Sequence, residues 1–251
     1  MTTPDIDIAL NGAVTRIRFN RPVKRNALTV AMYAAMADAL TAAETNGTAL
    51  VLFSAAGAGF CAGNDLVDFM SNPPSGEDAP VTRFLRALAA TTRILIAAVQ
   101  GRAVGVGTTM LLHCDFVLAE DDAVLQMPFT DLALVPEAAS SLLVPRLVGP
   151  RRAADLLLLG EPVPAARAET LGLVNRVVPA GQGPAEAETL AARLLEKPRS
   201  ALLATKRLMA SQTTDIAARM AEEGAAFAEG LQSPEFAATV AKFFASRAKA
   251  A

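Results

Sequence analysis

The sequence has few of the residues that staple, ligate or anchor a chain. Only two cysteines, Cys61 and Cys114, occur in 251 residues. A chain this long buries enough surface to fold without a disulfide, so both are read as free thiols in a reducing compartment. There is one histidine, His113, inside the apolar run Met110-Leu111-Leu112-His113-Cys114. With no second histidine and no cysteine pair at ligand spacing, no metal site is expected. A lone histidine in such a run is read as a hydrogen-bonded core residue. An excess of one charge sign is also missing. The formal net charge of −2 supplies no basic face for nucleic acid. No apolar run approaches the ~20 residues of a membrane helix, and the first residues carry no charged-then-apolar leader pattern. The last three residues are not a peroxisomal signal. The expectation is a cytoplasmic protein with neither membrane nor nucleic acid as partner. What the chain has in abundance is apolar residues, 52% against 19% charged. That composition excludes a disordered chain, and the many alanines favour helices.

Residues 6–10 and 14–19 alternate in polarity around Asn11-Gly12, the pattern of a hairpin. Thr29 is placed to cap a helix that runs to about Asn46, with Gly47 as its stop. Ala49–Ser54 and Ile94–Val99 are apolar on both faces, as buried strands are. Shorter strands are expected at 116–119 and 123–127. After Pro128 helices dominate, interrupted by one strand near 173–178. The expected class is α/β, with a core over 1–180 that carries the site and a helical region over 181–251. The run 71–80, SNPPSGEDAP, reads as a loop of the kind that borders sites.

Two segments share one shape, a buried strand, a glycine-rich turn and a helix start: LVLFSAAGAGFCAGNDL and ILIAAVQGRAVGVGTTM. Glycine lets a backbone approach a ligand closely, and the free N–H groups of a helix start favour negative charge. If the turns converge, the N–H groups of Asn64 and Val106 form an oxyanion hole. For either turn alone, glycines that only permit tight strand-to-helix packing are the better explanation. A dinucleotide site is excluded because Gly105 and Gly107 lack the third glycine, and no P-loop lysine follows either turn.

Taken in order, four segments resemble the enoyl-CoA hydratase/isomerase (crotonase) family over about residues 10–247. They are Arg21-Pro22-Val23-Lys24-Arg25-Asn26-Ala27-Leu28, Phe60–Leu66, Gly101–Asp115 and Leu171-Gly172-Leu173-Val174-Asn175. The resemblance implies a spiral of ββα units with a C-terminal helical trimerisation region, assembled as a homotrimer or dimer of trimers. It implies an acyl-CoA thioester substrate whose carbonyl sits between the N–H groups of Asn64 and Val106, and no cofactor beyond the CoA of the substrate. It also places Ala62, Asp65, Leu66, Gly105 and Phe129 against the substrate, with Lys24 and Arg25 within reach of the CoA phosphates. Lys206, Arg207, Lys242 and Arg247 are further phosphate candidates; for each of these six cations taken alone, a solvated surface charge is the better reading. Position 106 is usually glycine in the family; Val106 keeps the backbone donor and narrows the pocket.

Hydration in this family uses two glutamates, and those positions are Thr109 and Phe129 here. The chain is instead similar to the peroxisomal-type Δ3,Δ2-enoyl-CoA isomerases in Gly63-Asn64-Asp65-Leu66, Pro128-Phe129 and Pro136-Glu137 followed by Ser140-Ser141. In that branch the glutamate after the proline is the base, which makes Glu137 the expected catalytic residue of a fatty-acid-oxidation isomerase. The usual glycine after it is Ala138. Without the resemblance, Pro-Glu at a helix start is ordinary first-turn chemistry. Asp131 is the reserve base, and Asp65 reads first as a helix cap. Two alternatives stand beside the isomerase: hydration or another crotonase reaction, and a non-catalytic acyl-CoA-binding scaffold.

Overall fold

Alternating residues at the start of the chain form the expected hairpin. β1 (Ile6–Asn11) and β2 (Val14–Phe19) pair antiparallel, with Asn11 opposite Val14. The loop is therefore Gly12-Ala13, one residue later than the Asn-Gly pair suggested. Gly12 supplies the positive φ of 60° that the first central residue of a tight II′ turn needs. The computed structural model describes residues 3–73, 76–209 and 213–248, with the side chains of 213, 214 and 246–248 outside that description.

The chain continues through α1 (Val30–Ala43), β3 (Leu50–Ala55), α2 (Leu66–Ser71), α3 (Pro80–Ala90), β4 (Ile94–Val99), β5 (Arg102–Val104) and α4 (Val106–Thr109). Then come β6 (Phe116–Glu120), β7 (Val124–Gln126), α5 (Ser140–Val148), α6 (Pro150–Leu157), β8 (Val163–Pro164), α7 (Ala165–Thr170) and β9 (Arg176–Val178). Helices α8 (Gly183–Leu195), α9 (Arg199–Met209), α10 (Thr213–Leu231) and α11 (Pro234–Ala248) follow. The helix expected to run through His113 is shorter: α4 tightens into a 3-10 turn over Met110–His113.

Among the described residues the strands form two sheets. The larger has the order β1-β2-β3-β4-β6-β9, parallel from β2 onward. Its central strands β3 and β4 are apolar except for Ser54, as suits strands covered on both faces. On one face Val51, Phe53, Leu95 and Ala97 pack with Met32, Tyr33 and Met36 of α1 and Phe84 and Leu88 of α3. On the other, Leu50, Leu52, Ile94 and Ile96 pack with Ala187, Leu190 and Leu194 of α8. The two-residue period of a strand sorts neighbouring side chains into two cores. Among the described residues no helix is long and apolar enough to cross a membrane.

The smaller sheet has the order β5-β7-β8, and it is extended by isolated bridges between Cys61 and Ala103 and between Leu28 and Asn64. Each turn of the chain thus lays a strand in the large sheet, an extended segment in the small layer, and then a helix. This is the ββα spiral anticipated from the sequence. It stacks the segments after β3 and β4 side by side, which is the geometry the site depends on. The C-terminal helices return to the same side, where Phe227, Phe236 and Val240 join the main core.

Candidate active site

The two glycine-rich turns meet. The Cys61 N–H donates to the Arg102 carbonyl at 3.1 Å and the Val104 N–H to the Cys61 carbonyl at 2.8 Å, stitching the segments together. Gly63 has φ 89°, and a Cβ there would lie 3.1 Å from the Val104 carbonyl oxygen. Gly105 faces it, with its Cβ position 3.9 Å from the Gly63 Cα. Gly101 and Gly107 are tighter still: a Cβ would collide with the Ala58 carbonyl oxygen at the first, and would sit 2.7 Å from the Cys61 carbonyl oxygen and 2.8 Å from the Cys61 Cβ at the second. The packing and functional explanations of these glycines therefore hold together, because close packing is what brings the next residues side by side. Asn64 and Val106 line one cavity, and neither backbone N–H donates to an acceptor among the described residues. The Asn64 side chain is fixed by Tyr33, whose hydroxyl donates to Asn64 Oδ1.

Glu137 lines the same cavity of about 920 Å³. It is 6% exposed, and its Oε1 has no hydrogen-bond partner among the described residues. Burial pushes its carboxyl up to about 8, and the nearby Glu223 charge pushes in the same direction. The turn that carries it is unusual: Ala138 and Ala139 both take left-handed backbone angles, φ 59° and 56°. Three contacts hold that turn. Ser140 Oγ donates to the Glu137 carbonyl at 2.6 Å, Glu223 accepts from Ala139 N–H at 2.6 Å, and His113 Nε2 lies 2.8 Å from the Ala138 carbonyl oxygen. A carbonyl only accepts, so His113 carries its proton on Nε2. Burial holds its pKa down, to about 4, so the ring is neutral. His113 is hydrogen-bonded as expected, but it is half-buried at the edge of the core rather than within it. The left-handed angle also explains why glycine suits position 138. Replacing Ala138 with glycine removes the Cβ strain at some cost in unfolded-state entropy, for a net gain of about 0.5 kcal/mol. Chemical denaturation of Ala138→Gly is expected to show that gain; a loss of stability would mean Ala138 is unstrained.

With this geometry in view, the comparisons with known proteins fit. The Enoyl-CoA hydratase/isomerase family model matches residues 9–248. The chain belongs to the enoyl-CoA hydratase/isomerase family. It is 31% identical over 253 residues to enoyl-CoA delta isomerase 3, peroxisomal, of Mus musculus, covering 98% of this chain and 80% of the mouse protein. It is 34% identical over 208 residues to enoyl-CoA delta isomerase 2 of Rattus norvegicus, covering 80% of this chain and 53% of the rat protein. The crystal structure of an enoyl-CoA hydratase/isomerase from Pseudoalteromonas atlantica T6c superposes with a TM-score of 0.92 at 40% identity, over 96% of this chain and 97% of that one. This chain is an enzyme of the crotonase superfamily, with the crotonase fold.

The remaining site residues divide by position in this crotonase cavity. Ala62, Leu66, Gly105 and Phe129 form its wall, and Lys24 and Arg25 stand exposed at its mouth. Asp65 lines it while capping α2: its side chain accepts from the N–H groups of Val67 and Asp68 and pairs with Arg21 at 2.7 Å. Burial works to raise the Asp65 carboxyl, but Arg21 and the two N–H donors hold it below the usual range. Asp131 is exposed at the rim. Thr109 is fully buried.

Some expectations need correction. Lys206 is committed to Asp115, at 2.7 and 2.8 Å, in a largely buried pair. Arg207 is exposed away from the cavity, whereas Lys242 lines it; the Arg247 side chain lies outside the described residues. None of the described residues of loop 71–80 lines the cavity, since α2 and α3 turn them toward a separate pocket at Asn72 and Pro80. Phe227, Leu231 and Phe236 of the C-terminal helices line the cavity as well. Tyr33, Phe227 and Leu231 went unnoticed in the sequence. Tyr33 is the one tyrosine of the chain, and its place on the apolar face of α1 carries no local sign of a role in the site.

Proposed function

We propose that this enzyme is a Δ3,Δ2-enoyl-CoA isomerase acting on a 3-enoyl-CoA thioester. The observation that carries this reading is a buried carboxyl with an unpartnered oxygen, Glu137, in the cavity lined by the free N–H groups of Asn64 and Val106. Ionised Glu137 removes a proton from C2, and the electron pair moves onto the thioester oxygen as a dienolate. The two N–H groups hold that oxyanion, each worth roughly 3 kcal/mol in the transition state. Protonated Glu137 then returns the same proton to C4, giving the 2-trans-enoyl-CoA. Atoms and electrons balance within the substrate, so neither water nor a cofactor beyond CoA takes part. A two-carboxylate hydration lacks its partners, since the corresponding positions are Thr109 and Phe129.

Lys24, Arg25 and Lys242 at the mouth would pair with the CoA phosphates, leaving the acyl chain among Phe129, Phe227 and Phe236. A homotrimer or dimer of trimers belongs to the same reading. Leu158 and Leu159, 67% and 64% exposed, support a further interface.

The test is a paired assay of 3-enoyl-CoA and 2-enoyl-CoA substrates across pH. Isomerisation is expected, with kcat/KM rising as pH increases toward about 8, because the Glu137 carboxyl must be ionised in the free enzyme. Hydration of the 2-enoyl substrate instead would sink the one-carboxylate reading. Binding with neither reaction would leave a scaffold.

A further inference from the structure

The base is held by a residue that the reaction itself does not use. Glu223 on α10 is 6% exposed and reaches across to the start of α5. Its Oε2 accepts from the Ala139 N–H at 2.6 Å, and its Oε1 accepts from the Ser141 N–H at 2.9 Å and the Ser141 hydroxyl at 2.5 Å. Helix α5 has no cap of its own, because the N-cap position is Ala139, with a left-handed φ of 56° and no side-chain acceptor. Every donor to Glu223 thus lies within four residues of Glu137, on a turn with two successive strained alanines.

A serine or aspartate at position 139 would cap α5 locally, with no second acid brought across from another helix. Burying a carboxylate is costly, and this one stands close enough to Glu137 to favour its protonated form. One helical turn beyond Glu223, Phe227 enters the cavity and stacks edge-on with Phe69 at 6.4 Å. Residues at i and i+4 share a helix face. The same face of α10 therefore walls the acyl site and grips the turn of the base.

We propose that Glu223 is a positioning residue for Glu137: it clamps the Glu137–Ser141 turn to α10, so that the Glu137 carboxyl keeps its aim into the cavity. This deepens the isomerase reading and rests on it. The groups around the pair are few. Tyr33 from α1 and Cys61 from the first turn face Glu137, both neutral because burial raises their pKa, Cys61 to about 12. Neutral His113 holds the Ala138 carbonyl, with the Lys206–Asp115 pair beyond it. Arg219 on α10 favours ionised Glu223 and also pairs with Glu222. Arg146 of α5 pairs with Asp215 at the surface. For Glu223 itself, burial acts upward while the three donors and Arg219 act downward, and its pKa lies above the ordinary value.

The experiment compares wild type, Glu223→Gln, Glu223→Ala and Ser141→Ala as full-length protein. It records kcat and KM on a 3-enoyl-CoA across pH, acyl-CoA binding, Tm, and the Glu137 titration midpoint by carboxyl-carbon NMR. Glu223→Ala is expected to lose on the order of 100-fold in kcat with acyl-CoA binding retained, the signature of a misplaced base. Glu223→Gln, which keeps the shape and removes the charge, is expected to move the acid limb and the Glu137 midpoint to lower pH. A lower Tm with wild-type kcat and midpoint would reduce Glu223 to a structural cap and overturn the proposal. If the Glu223 variants do not fold, Ser141→Ala decides. It removes one donor and keeps both backbone bonds, so an unmoved Glu137 midpoint there also overturns it. The midpoint needs no turnover, so the clamp can be tested even if Glu137→Gln shows that the isomerase reading fails.

Discussion

Glu137→Gln is expected to bind acyl-CoA esters as the native enzyme does and to lose isomerase turnover by ~10³-fold, within the range assigned to a positioned general base. Glutamine fills the same volume and can accept one hydrogen bond, so the cavity keeps its shape and the Asn64 and Val106 donors stay in place. It cannot take the C2 proton. The loss should therefore appear in kcat rather than in affinity. The same variant should be the more stable protein at neutral and alkaline pH. The folded-state pKa of Glu137, about 8, lies above the ordinary carboxylate value of 4.5. Between those values the unfolded chain has released a proton that the native state keeps, so stability falls as pH rises through this window. Removing the group removes that fall. A higher Tm at pH 8 with turnover lost would show a site held at some expense to the fold. Unchanged turnover would take Glu137 out of the mechanism.

Gly107→Ala is expected to have the second-largest effect, although Gly107 does not line the cavity. The added Cβ would lie 2.7 Å from the Cys61 carbonyl oxygen and 2.8 Å from the Cys61 Cβ. Neither atom is the tip of a flexible side chain, so backbone must move. Cys61 is stitched on both sides to Arg102 and Val104, and the strain falls on the seam between the two turns. Overpacking of this kind costs about 2–3 kcal/mol. A displacement near 1 Å at Val106 would spoil the spacing of the two N–H donors, for a loss on the order of 100-fold in kcat. A thermal melt with steady-state kinetics checks both parts. An alanine variant with native Tm and native kcat would mean that the turn is looser than these contacts imply.

Sequence periodicity determined much of this protein. The apolar-on-both-faces runs at β3 and β4 read as strands buried between layers, and the two glycine-rich turns after them were the candidates for the site. The resemblance placed Asn64, Val106 and Glu137, and all three line one cavity. The resemblance marked position 138 as usually glycine, and its left-handed φ of 59° came with the structure. What no run of residues could reveal was partnership across long stretches of chain. Glu223 stands 82 residues from Ser141, and Tyr33 stands 31 from Asn64. Neither pair leaves a local signal, because a side-chain hydrogen bond depends on where helices pack rather than on spacing. Lys206 read as a surface cation for the same reason, until packing set it on Asp115. The phenylalanines of the C-terminal helices were visible as apolar residues, but only the return of those helices over the spiral made Phe227 and Phe236 part of the cavity wall. Short-range patterns of polarity and backbone freedom dictate the elements and mark the glycine-bearing turns. The burial that lifts the Glu137 pKa, and the reach of a distant carboxylate to its turn, exist only once those elements are packed.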